Sequence, residues 1–464
     1  MSASPGAEPR RFPSAHQTLS GWGHFPVERC EVFRPERLEE LRALVRAAPR
    51  ETLIARGCGR SYGDPALNAA GGVVLTERLD RMLGFDPQEG VLHCEPGVTL
   101  AEILDVFVPR GFFFPVTPGT KFVSVGGAIA ADVHGKNHHR SGSLAASLVD
   151  LDLLTASGEV LRCSREENAD LFWATLGGMG LTGVVVDARL RLLPVQSAWM
   201  QVEQRRTRDL DATLEDMFER DARHAYAVTW IDALRGGRGM GRGVSHRADH
   251  APLDALPASR RAEPHHLVRR PRLAVPFRLP GFTLNALTMN AFNEVVYRTH
   301  PDRDFVLDVD GYFYPLDRVH AWNRIYGRRG AIQFQCLFPP ETARRGLVDV
   351  LTRLSRGRHP SFLAVLKSCG PASGGLLSFP APGYTLALDL PHTGSDLLAT
   401  VAALEAIVLR EGGRVYLAKD ACLGREGFAA MYPGLSRFRE VKAKVDPGAR
   451  FASSQARRLG LVDA

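Results

Sequence analysis

The nine residues Arg56-Gly57-Cys58-Gly59-Arg60-Ser61-Tyr62-Gly63-Asp64 follow a strand-like segment and constrain the fold more than any other stretch of the chain. Their three glycines allow backbone N–H groups to converge on one concavity, which is the form of an anion-binding nest. Two arginines stand within the same loop. Since glycine-rich turns are common, the loop alone is compatible with either a phosphate site or an ordinary turn.

A second loop with closely spaced small residues occupies residues 118–130 and contains Gly119 and Ser124-Val125-Gly126-Gly127. It leads into the polar run Ala131-Asp132-Val133-His134-Gly135-Lys136-Asn137-His138-His139. Two such loops suit a long diphosphate cofactor threaded between two subdomains. The adjacent spacing of the three histidines does not place them on one face, so we expect no metal site.

A third glycine pattern, Gly178-x-Gly180-x-x-Gly183, has the spacing of a Rossmann dinucleotide loop. That loop requires a strand before the glycines and a helix after them, so that the helix N-terminus faces the pyrophosphate. Here the helical residues 170–175 precede the glycines and the β-prone residues 184–186 follow them. The sequence therefore argues against a Rossmann fold.

Composition limits the class of protein. The 464 residues carry a formal net charge of +7 and are 45% hydrophobic, as expected for two or three folded domains. No run approaches the roughly 18 apolar residues of a membrane-spanning helix, and no nucleic-acid-binding motif is present. The seven cysteines are dispersed and never paired as CxxC, which favours a reducing compartment and a cytoplasmic location.

The chain divides by pattern into four parts. Residues 1–20 are expected to be a flexible tail, because the twin arginine Arg10-Arg11 is not followed by the apolar core of an export signal. Residues 21–195 alternate between strand-like and helix-like segments and predict an α+β domain. Residues 196–419 are richer in strands, and residues 420–464 are helical and basic.

The order of these motifs resembles the PCMH-type FAD-binding domain of the vanillyl-alcohol oxidase superfamily. The motifs that carry the resemblance are RGCGRSYGD at 56–64, PGT-x4-VGGAIA-x-D-x-HGKNHH at 118–139, LFWAT-x-GG-x-GLTG at 171–183 and YLAKD at 416–420. More narrowly, the chain is similar to the branch that oxidises lipid-phosphate-linked pentoses, over residues 21–459. So many ordered matches are more specific than any single glycine motif.

The resemblance implies an α+β fold with a two-subdomain, PCMH-type FAD-binding domain over 21–195. An antiparallel-sheet substrate domain flanked by helices would follow over 196–419, with a mobile basic loop at 257–280. Residues 420–464 would return to the FAD domain. By the same resemblance, the residues that line the FAD are Arg56, Gly57, Cys58, Gly59, Arg60, Ser61, Tyr62, Gly63, Asp64, Gly119, Ser124, Val125, Gly126, Gly127, Ala131, Asp132, Val133, His134, Val185 and Tyr416. The first loop has no histidine, so we expect non-covalent FAD with Cys58 packed against it.

Two residues are implied as catalytic, Lys419 in YLAKD and His134 in the polar run. A lysine in a partly desolvated pocket has a lowered pKa, which suits it to act as a base as well as a cation. The residues implied to contact substrate are Gln335, Lys367, Gln333 and Tyr62. One strand departs from the pattern, since Thr385 and Ala387 stand where relatives carry Asn and Cys.

The implied activity is FAD-dependent oxidation of a sugar secondary alcohol to a ketone by hydride transfer to flavin N5. The implied substrate is the C2 hydroxyl of a polyprenyl-phosphoryl ribose, in the first half of a 2′-epimerisation toward arabinose for the cell wall. A short-chain NAD(P)-dependent reductase would complete the epimerisation, and oxygen or a quinone would reoxidise the flavin. The alternative is an alditol or aldonolactone oxidase acting on small soluble sugars, but aldonolactone oxidases carry an HWGK-like motif in place of YLAKD.

Much of the excess positive charge lies in residues 257–280, which contain six arginines and one glutamate. Apolar residues are mixed with the arginines. This composition suits a loop that lies on anionic lipid or closes over a lipid phosphate, and thus a peripheral position at the inner face of the membrane. A mobile, solvated loop is an equally compatible interpretation.

Overall fold

The computed structural model of the chain describes residues 12–47, 50–270, 273–357, 359 and 361–462. Most of the expected tail, including Arg10-Arg11, lies outside the described residues. Within them, Ser14–Ser20 forms strand β1, which pairs antiparallel with β2 (Val27–Phe33). The expectation of a loose tail is therefore wrong for residues 14–20. This strand is polar and largely exposed, so its sequence lacks the apolar alternation by which strands are recognised.

The first sheet has four strands in the order β1-β2-β4-β3. Helix α1 (Leu38–Ala47) joins β2 to β3 (Leu53–Arg56), and β4 (Gly72–Leu75) pairs in parallel with both strands. Because β3 ends at Arg56, the first glycine loop begins at the carboxyl end of a parallel strand. Open α/β sheets characteristically bind ligands at this end.

The second sheet is antiparallel, with five strands in the order β5-β6-β10-β8-β9. Its strands and those of a two-stranded ladder (β7 with β11) are β5 Met82–Asp86, β6 Val91–Cys94, β7 Phe112–Phe113, β8 Leu148–Leu154, β9 Val160–Ser164, β10 Val184–Arg191 and β11 Leu193–Pro194. The helices between them are α2 Leu100–Phe107, α3 Val125–Ala130, α4 His138–Ser141 and α5 Ala169–Thr175. The third glycine pattern thus lies between α5 and β10, which confirms the order that argued against a Rossmann loop.

The third sheet is antiparallel and has eight strands in the order β16-β12-β14-β13-β19-β20-β18-β21. Its strands and the ladder β15–β17 are β12 Trp199–Thr207, β13 Tyr226–Ile231, β14 Gly243–His250, β15 Leu273–Ala274, β16 Arg303–Asp308, β17 Val319–His320, β18 Ala331–Phe338, β19 Ala364–Cys369, β20 Gly383–Pro391 and β21 Arg414–Val415. The helices of this region are α6 Leu210–Arg220, α7 Ala258–Arg261, α8 Ala286–Thr299, α9 Val309–Phe313, α10 Pro340–Gly357 and α11 Ser395–Arg410. The predicted α+β class and antiparallel sheet are confirmed.

The C-terminal segment forms helices α12 (Arg425–Met431), α13 (Leu435–Val445) and α14 (Ser454–Arg458). It is joined to β3 by two backbone hydrogen bonds, one from Leu53 N to the Arg450 carbonyl (2.8 Å) and one from Ala452 N to the Leu53 carbonyl (3.0 Å). These contacts hold the last residues of the chain against the first sheet, beside the start of the glycine loop.

Two arginines of the basic segment 257–280 contact the third sheet. The Arg260 guanidinium lies 3.9 Å from the centroid of the Trp199 ring, and Arg270 forms an ion pair with the buried Asp308. Arg269 and Arg278 are exposed, while Arg272 lies outside the described residues. The mobility of this loop stays a prediction.

Candidate active site

The floor of a deep cleft is formed by three adjacent strands of the third sheet. Gln335 on β18 pairs with Ala387 on β20, which pairs in turn with Val365 on β19. Side chains two residues apart on a strand share a face, so Gln333 and Lys367 join the same surface. All five line one cleft with a cavity volume of about 250 Å³. The structure thus brings together Gln333, Gln335 and Lys367, which the resemblance implies as substrate contacts.

The two glycine loops form the opposite wall. Gly59 has φ +61°, a backbone conformation that disfavours residues with a side chain. A Cβ on Gly57 would lie 2.0 Å from Ser124 Oγ. The absence of a side chain at Gly57 therefore lets the first loop approach the second, and this close approach requires glycine.

Two buried polar atoms of this wall, Arg60 Nε and Ser124 Oγ, have no hydrogen-bond partner in the described part of the chain. Both residues line the cleft. Leaving a buried donor without a partner costs about 1–3 kcal/mol, so such atoms usually indicate a bound polar group. Together with the close-packed glycines, they fit the diphosphate of a dinucleotide cofactor such as FAD.

His134 is held between two cleft residues. Its Nδ1 lies 3.4 Å from Lys367 Nζ, and the amide of Gln335 lies 3.1 Å from its Nε2. Burial, assisted by the charge of Lys367, lowers the pKa of His134 well below its usual value, so the ring is neutral. The atom of Gln335 that faces the ring is the amide nitrogen, which also donates to Thr385 Oγ1 (3.1 Å). Gln335 therefore joins His134 to β20 as well as to β18.

Lys419 is partly buried in the cleft, with its Nζ 4.3 Å from the centroid of the Tyr62 ring. Burial lowers the pKa of Lys419 from 10.5 to about 8, although the nearby Asp389 opposes this shift. The segment that carries Lys419 is fixed to the first glycine loop, because Tyr62 N donates to the carbonyl of the preceding residue, Ala418 (3.0 Å). The first glycine loop and the lysine are therefore parts of one assembly.

Asp389 is a fully buried carboxylate that the sequence did not single out. Its Oδ2 accepts a hydrogen bond from Tyr326 Oη (2.7 Å), and its Oδ1 accepts one from Gln333. Burial raises the pKa of Asp389. Its place two residues after Ala387 on β20 is the only sequence signal that could have found it, because alternate residues of a strand share a face.

Sixteen of the residues implied by the resemblance line this cleft. They are Gly57, Cys58, Gly59, Arg60, Tyr62, Gly119, Ser124, Gly127, Ala131, Val133, His134, Gln333, Gln335, Lys367, Tyr416 and Lys419. The structure thus brings together the catalytic and substrate candidates with most of the cofactor candidates, although they are separated by up to 362 positions along the chain.

Four of the cofactor candidates instead use their side chains to hold the framework. Arg56 donates to the carbonyl of Ser20 (2.7 Å). Asp64 is paired with Arg458 of α14 (2.6 Å). Val185 is buried in the main core, and Asp132 accepts hydrogen bonds from the three hydroxyls of Ser143, Ser373 and Ser378.

The remaining four cofactor candidates also do not line the cleft, and they support the loops through backbone contacts or close packing. The carbonyl of Ser61 accepts from Trp22 N (2.7 Å), and Val125 is fully buried in the core. A Cβ on Gly63 would lie 1.6 Å from the Asp420 carbonyl, and one on Gly126 would lie 2.7 Å from Pro96. These residues shape the two loops. A match to a motif cannot distinguish residues that support a loop from residues that contact the ligand.

Several cleft residues, including Trp22 and Trp322, were not among the site residues predicted from the sequence. Their rings meet edge to face with centroids 5.9 Å apart, and both line the cleft. Trp322 lies in a short 3₁₀ helix, Trp322–Tyr326. No local pattern predicts a contact between residues 300 positions apart, so only the fold reveals it.

The fold and the cleft define an FAD-dependent oxidoreductase with a PCMH-type FAD-binding domain. A family model described as FAD binding domain matches residues 31–164. The chain is 36% identical to decaprenylphosphoryl-beta-D-ribose oxidase of Mycolicibacterium smegmatis, over 97% of this chain and 99% of that protein. The chain belongs to the family of that oxidase. The predicted family, FAD cofactor and enzyme class are confirmed.

Two other relatives differ in how much they share. An uncharacterized protein of Streptomyces coelicolor is 39% identical over 78% of this chain and 100% of its own length. A D-arabinono-1,4-lactone oxidase of Yarrowia lipolytica is 30% identical, but over only 42% of this chain and 37% of its own. The similarity to the lactone oxidase therefore covers less than half of the chain.

The described residues include neither a membrane-spanning helix nor a cluster of metal ligands. None of the helices among them is long and apolar enough to cross a bilayer. In the same part of the chain, no three His, Cys, Asp or Glu side chains are grouped so that they could hold a metal ion.

Proposed function

We propose that this protein oxidises the C2 hydroxyl of a polyprenyl-phosphoryl ribose to a ketone, as the first half of a 2′-epimerisation toward arabinose. Similarity to decaprenylphosphoryl-beta-D-ribose oxidase over nearly the whole of both chains supports this substrate class. The observation that carries the proposal is the cleft in which Lys419, His134 and Lys367 meet beneath the glycine loops. In this proposal residues 21–195 bind FAD and residues 196–419 bind the substrate.

FAD, when bound, supplies the hydride acceptor for the oxidation. The chain supplies the base, and Lys419 is the residue proposed for that role. A group with a pKa of about 8 is near the balance that a general base needs at neutral pH, since it is both partly unprotonated and strong enough to accept a proton. Gln333 and Gln335 would orient the sugar hydroxyls from the floor of the cleft.

His134 is proposed to orient the substrate rather than to accept its proton. Both of its ring nitrogens already face partners, Lys367 at Nδ1 and Gln335 at Nε2. Lys367 in turn supplies positive charge beside the ring, where the phosphate of the substrate would bind. The histidine thus couples the floor of the cleft to the phosphate-binding lysine.

We propose that FAD is held without a covalent bond. Cys58 lines the cleft, but burial raises the pKa of its thiol. A protonated thiol is a poor nucleophile, so attachment of flavin at Cys58 is disfavoured. Acid precipitation of the holoprotein should give a colourless pellet and a yellow supernatant. A yellow pellet would contradict the proposal.

Residues 273–295 are proposed to contact the membrane that holds the lipid substrate. Five large apolar side chains in this segment are between 59% and 79% exposed, and together we call them the apolar patch: Leu273, Phe277, Phe282, Leu287 and Val295. Arg269 and Arg278 are exposed beside them in the sequence. Apolar side chains combined with arginines suit binding at the inner face of an anionic bilayer.

In the proposed epimerisation, a separate short-chain reductase would reduce the ketone, and oxygen or a quinone would reoxidise the flavin.

The experiment that tests the proposed function is anaerobic titration of the purified holoprotein. Farnesyl-phosphoryl ribose should bleach the flavin absorbance, whereas alditols and aldonolactones at the same concentrations should leave it unchanged. Bleaching by a lactone or alditol alone would instead favour the oxidase of small sugars. Protein that cannot be reconstituted with FAD would contradict both activities.

A further inference from the structure

A second cavity, which we call the apolar chamber, lies beside the cleft and has a cavity volume of about 600 Å³. Its floor is built by pairs of residues two apart on four strands of the third sheet. These pairs are Val202 and Gln204 on β12, Val228 and Trp230 on β13, Val244 and His246 on β14, and Phe305 and Leu307 on β16. Because alternate residues share a face, one continuous and largely apolar surface results.

The chamber and the cleft share a floor. One row of directly paired residues crosses five strands in the order Val244, Trp230, Val365, Ala387 and Gln335. The first three line the chamber, and the last three line the cleft. Val365 lines both cavities. The cleft and the chamber are therefore adjacent along this row, on the same face of the sheet.

Cations mark the border between the two cavities. Lys367 lines both, and Lys136 lines the chamber with its Nζ 4.2 Å from the centroid of the Tyr312 ring. Lys136 also donates to the carbonyl of Tyr312. Both lysines are partly buried, and burial lowers the pKa of each. A partly desolvated cation is stabilised when it binds an anion.

Helix α8 forms the roof of the chamber. Phe292 and Val296 line its interior, whereas Leu287 and Val295 of the same helix are exposed. The helix is anchored on one side by the buried Asn293, which donates to Asp232 (2.8 Å). One side of the roof thus faces the chamber, and its outer side contributes to the apolar patch.

We propose that the apolar chamber binds the isoprenoid chain of the substrate, with the phosphate at Lys367 and Lys136 and the ribose in the cleft. This inference rests on the proposed function. The order of the cavities, polar cleft, cationic border and apolar chamber, matches the order of sugar, phosphate and lipid along the substrate. Because the roof helix carries two residues of the apolar patch, Leu287 and Val295, the isoprenoid chain would enter the chamber from the bilayer side.

Two neighbouring valines on α8 offer a matched test. Val296→Trp would fill the chamber from its roof, whereas Val295→Trp places the same bulk on the exposed side. Geranylgeranyl-phosphoryl ribose should bind the Val296→Trp holoprotein at least about tenfold more weakly than the wild type, because its chain loses buried apolar area. Binding of ribose 1-phosphate, which has no lipid, should be unchanged in both variants. Equal effects on both ligands, or none on the lipid ligand, would overturn the proposal.

Photolabelling of the wild-type holoprotein tests the chamber without requiring turnover or a folded variant. Geranylgeranyl phosphate with a photoreactive diazirine on its chain is irradiated with the wild-type holoprotein, and the labelled peptides are mapped by mass spectrometry. Label should fall on β13, β14 and β16, and label confined to the apolar patch would overturn the chamber. Chamber labelling without flavin bleaching by farnesyl-phosphoryl ribose would reject the proposed function alone.

Discussion

The substitution Lys419→Arg tests whether this lysine is the base of the reaction. Burial lowers the pKa of Lys419 from 10.5 to about 8, a destabilisation of the protonated form by about 3 kcal/mol. A lysine with a pKa of about 8 is neutral in about one tenth of the molecules at pH 7, compared with about one in 3000 for a pKa of 10.5. Arginine keeps the positive charge but does not deprotonate in proteins.

The assay is anaerobic stopped-flow reduction of the flavin by farnesyl-phosphoryl ribose between pH 6 and 10. The wild-type rate should rise with pH and level off above about 8, because only the neutral form of Lys419 accepts a proton. Lys419→Arg should lose about 10²- to 10⁴-fold in rate, the usual contribution of a general base, and should lose the rising limb.

Lys121→Arg is the matched control, since Lys121 is largely buried outside the cleft lining, in an ion pair with Asp310. It should keep the wild-type rate and pH profile, and both variants should bind FAD. Retention of near-wild-type rates in Lys419→Arg would refute the assignment. A wild-type rate that falls with pH through 8 would show that the lysine acts in its charged form.

Three further predictions concern other parts of the structure. Asp132→Asn should lower the free energy of urea unfolding by about 2 kcal/mol, because a buried charged acceptor of three hydroxyls is lost; a change no larger than that of the exposed Asp105→Asn would contradict this role. A thiol-directed inhibitor should not label β20 in the wild type and should label it in Ala387→Cys, as read by peptide mass mapping, because Ala387 lines the cleft without a sulfur. Phe282→Ser combined with Leu287→Ser should weaken binding to anionic vesicles at least about tenfold in cosedimentation while flavin content stays constant; unchanged binding would remove the apolar patch from the membrane contact.

Local chemistry made part of the fold readable from the sequence. The helical residues 170–175 and the β-prone residues 184–186 are confirmed as parts of α5 and β10, since both patterns depend on neighbouring residues only. The polar edge strand β1 was missed because its sequence has no apolar face. Residues Trp322–Tyr326 form a 3₁₀ helix, preceded by Ala321 at φ +51° and ended by Gly327 at φ +73°.

The candidate site was predictable to the extent that its motifs are contiguous. Lys419 and His134 lie in short recognisable runs, and the structure brings both to one cleft. The same motifs also contain Asp132 and Arg56, whose side chains hold the framework, because a motif records support and contact together. The apolar chamber could not be predicted, since its floor comes from four strands whose residues are spread from Val202 to Leu307.

In the proposed function, hydride leaves C2 of a lipid-linked ribose in this cleft. This step is tested by the rate of anaerobic flavin reduction by farnesyl-phosphoryl ribose that carries deuterium at C2 of the ribose, compared with the unlabelled compound. Deuterium at C2 should slow reduction severalfold, whereas deuterium at C3 should leave the rate unchanged. Equal rates for the C2-labelled and unlabelled compounds, or an effect confined to C3, would contradict it.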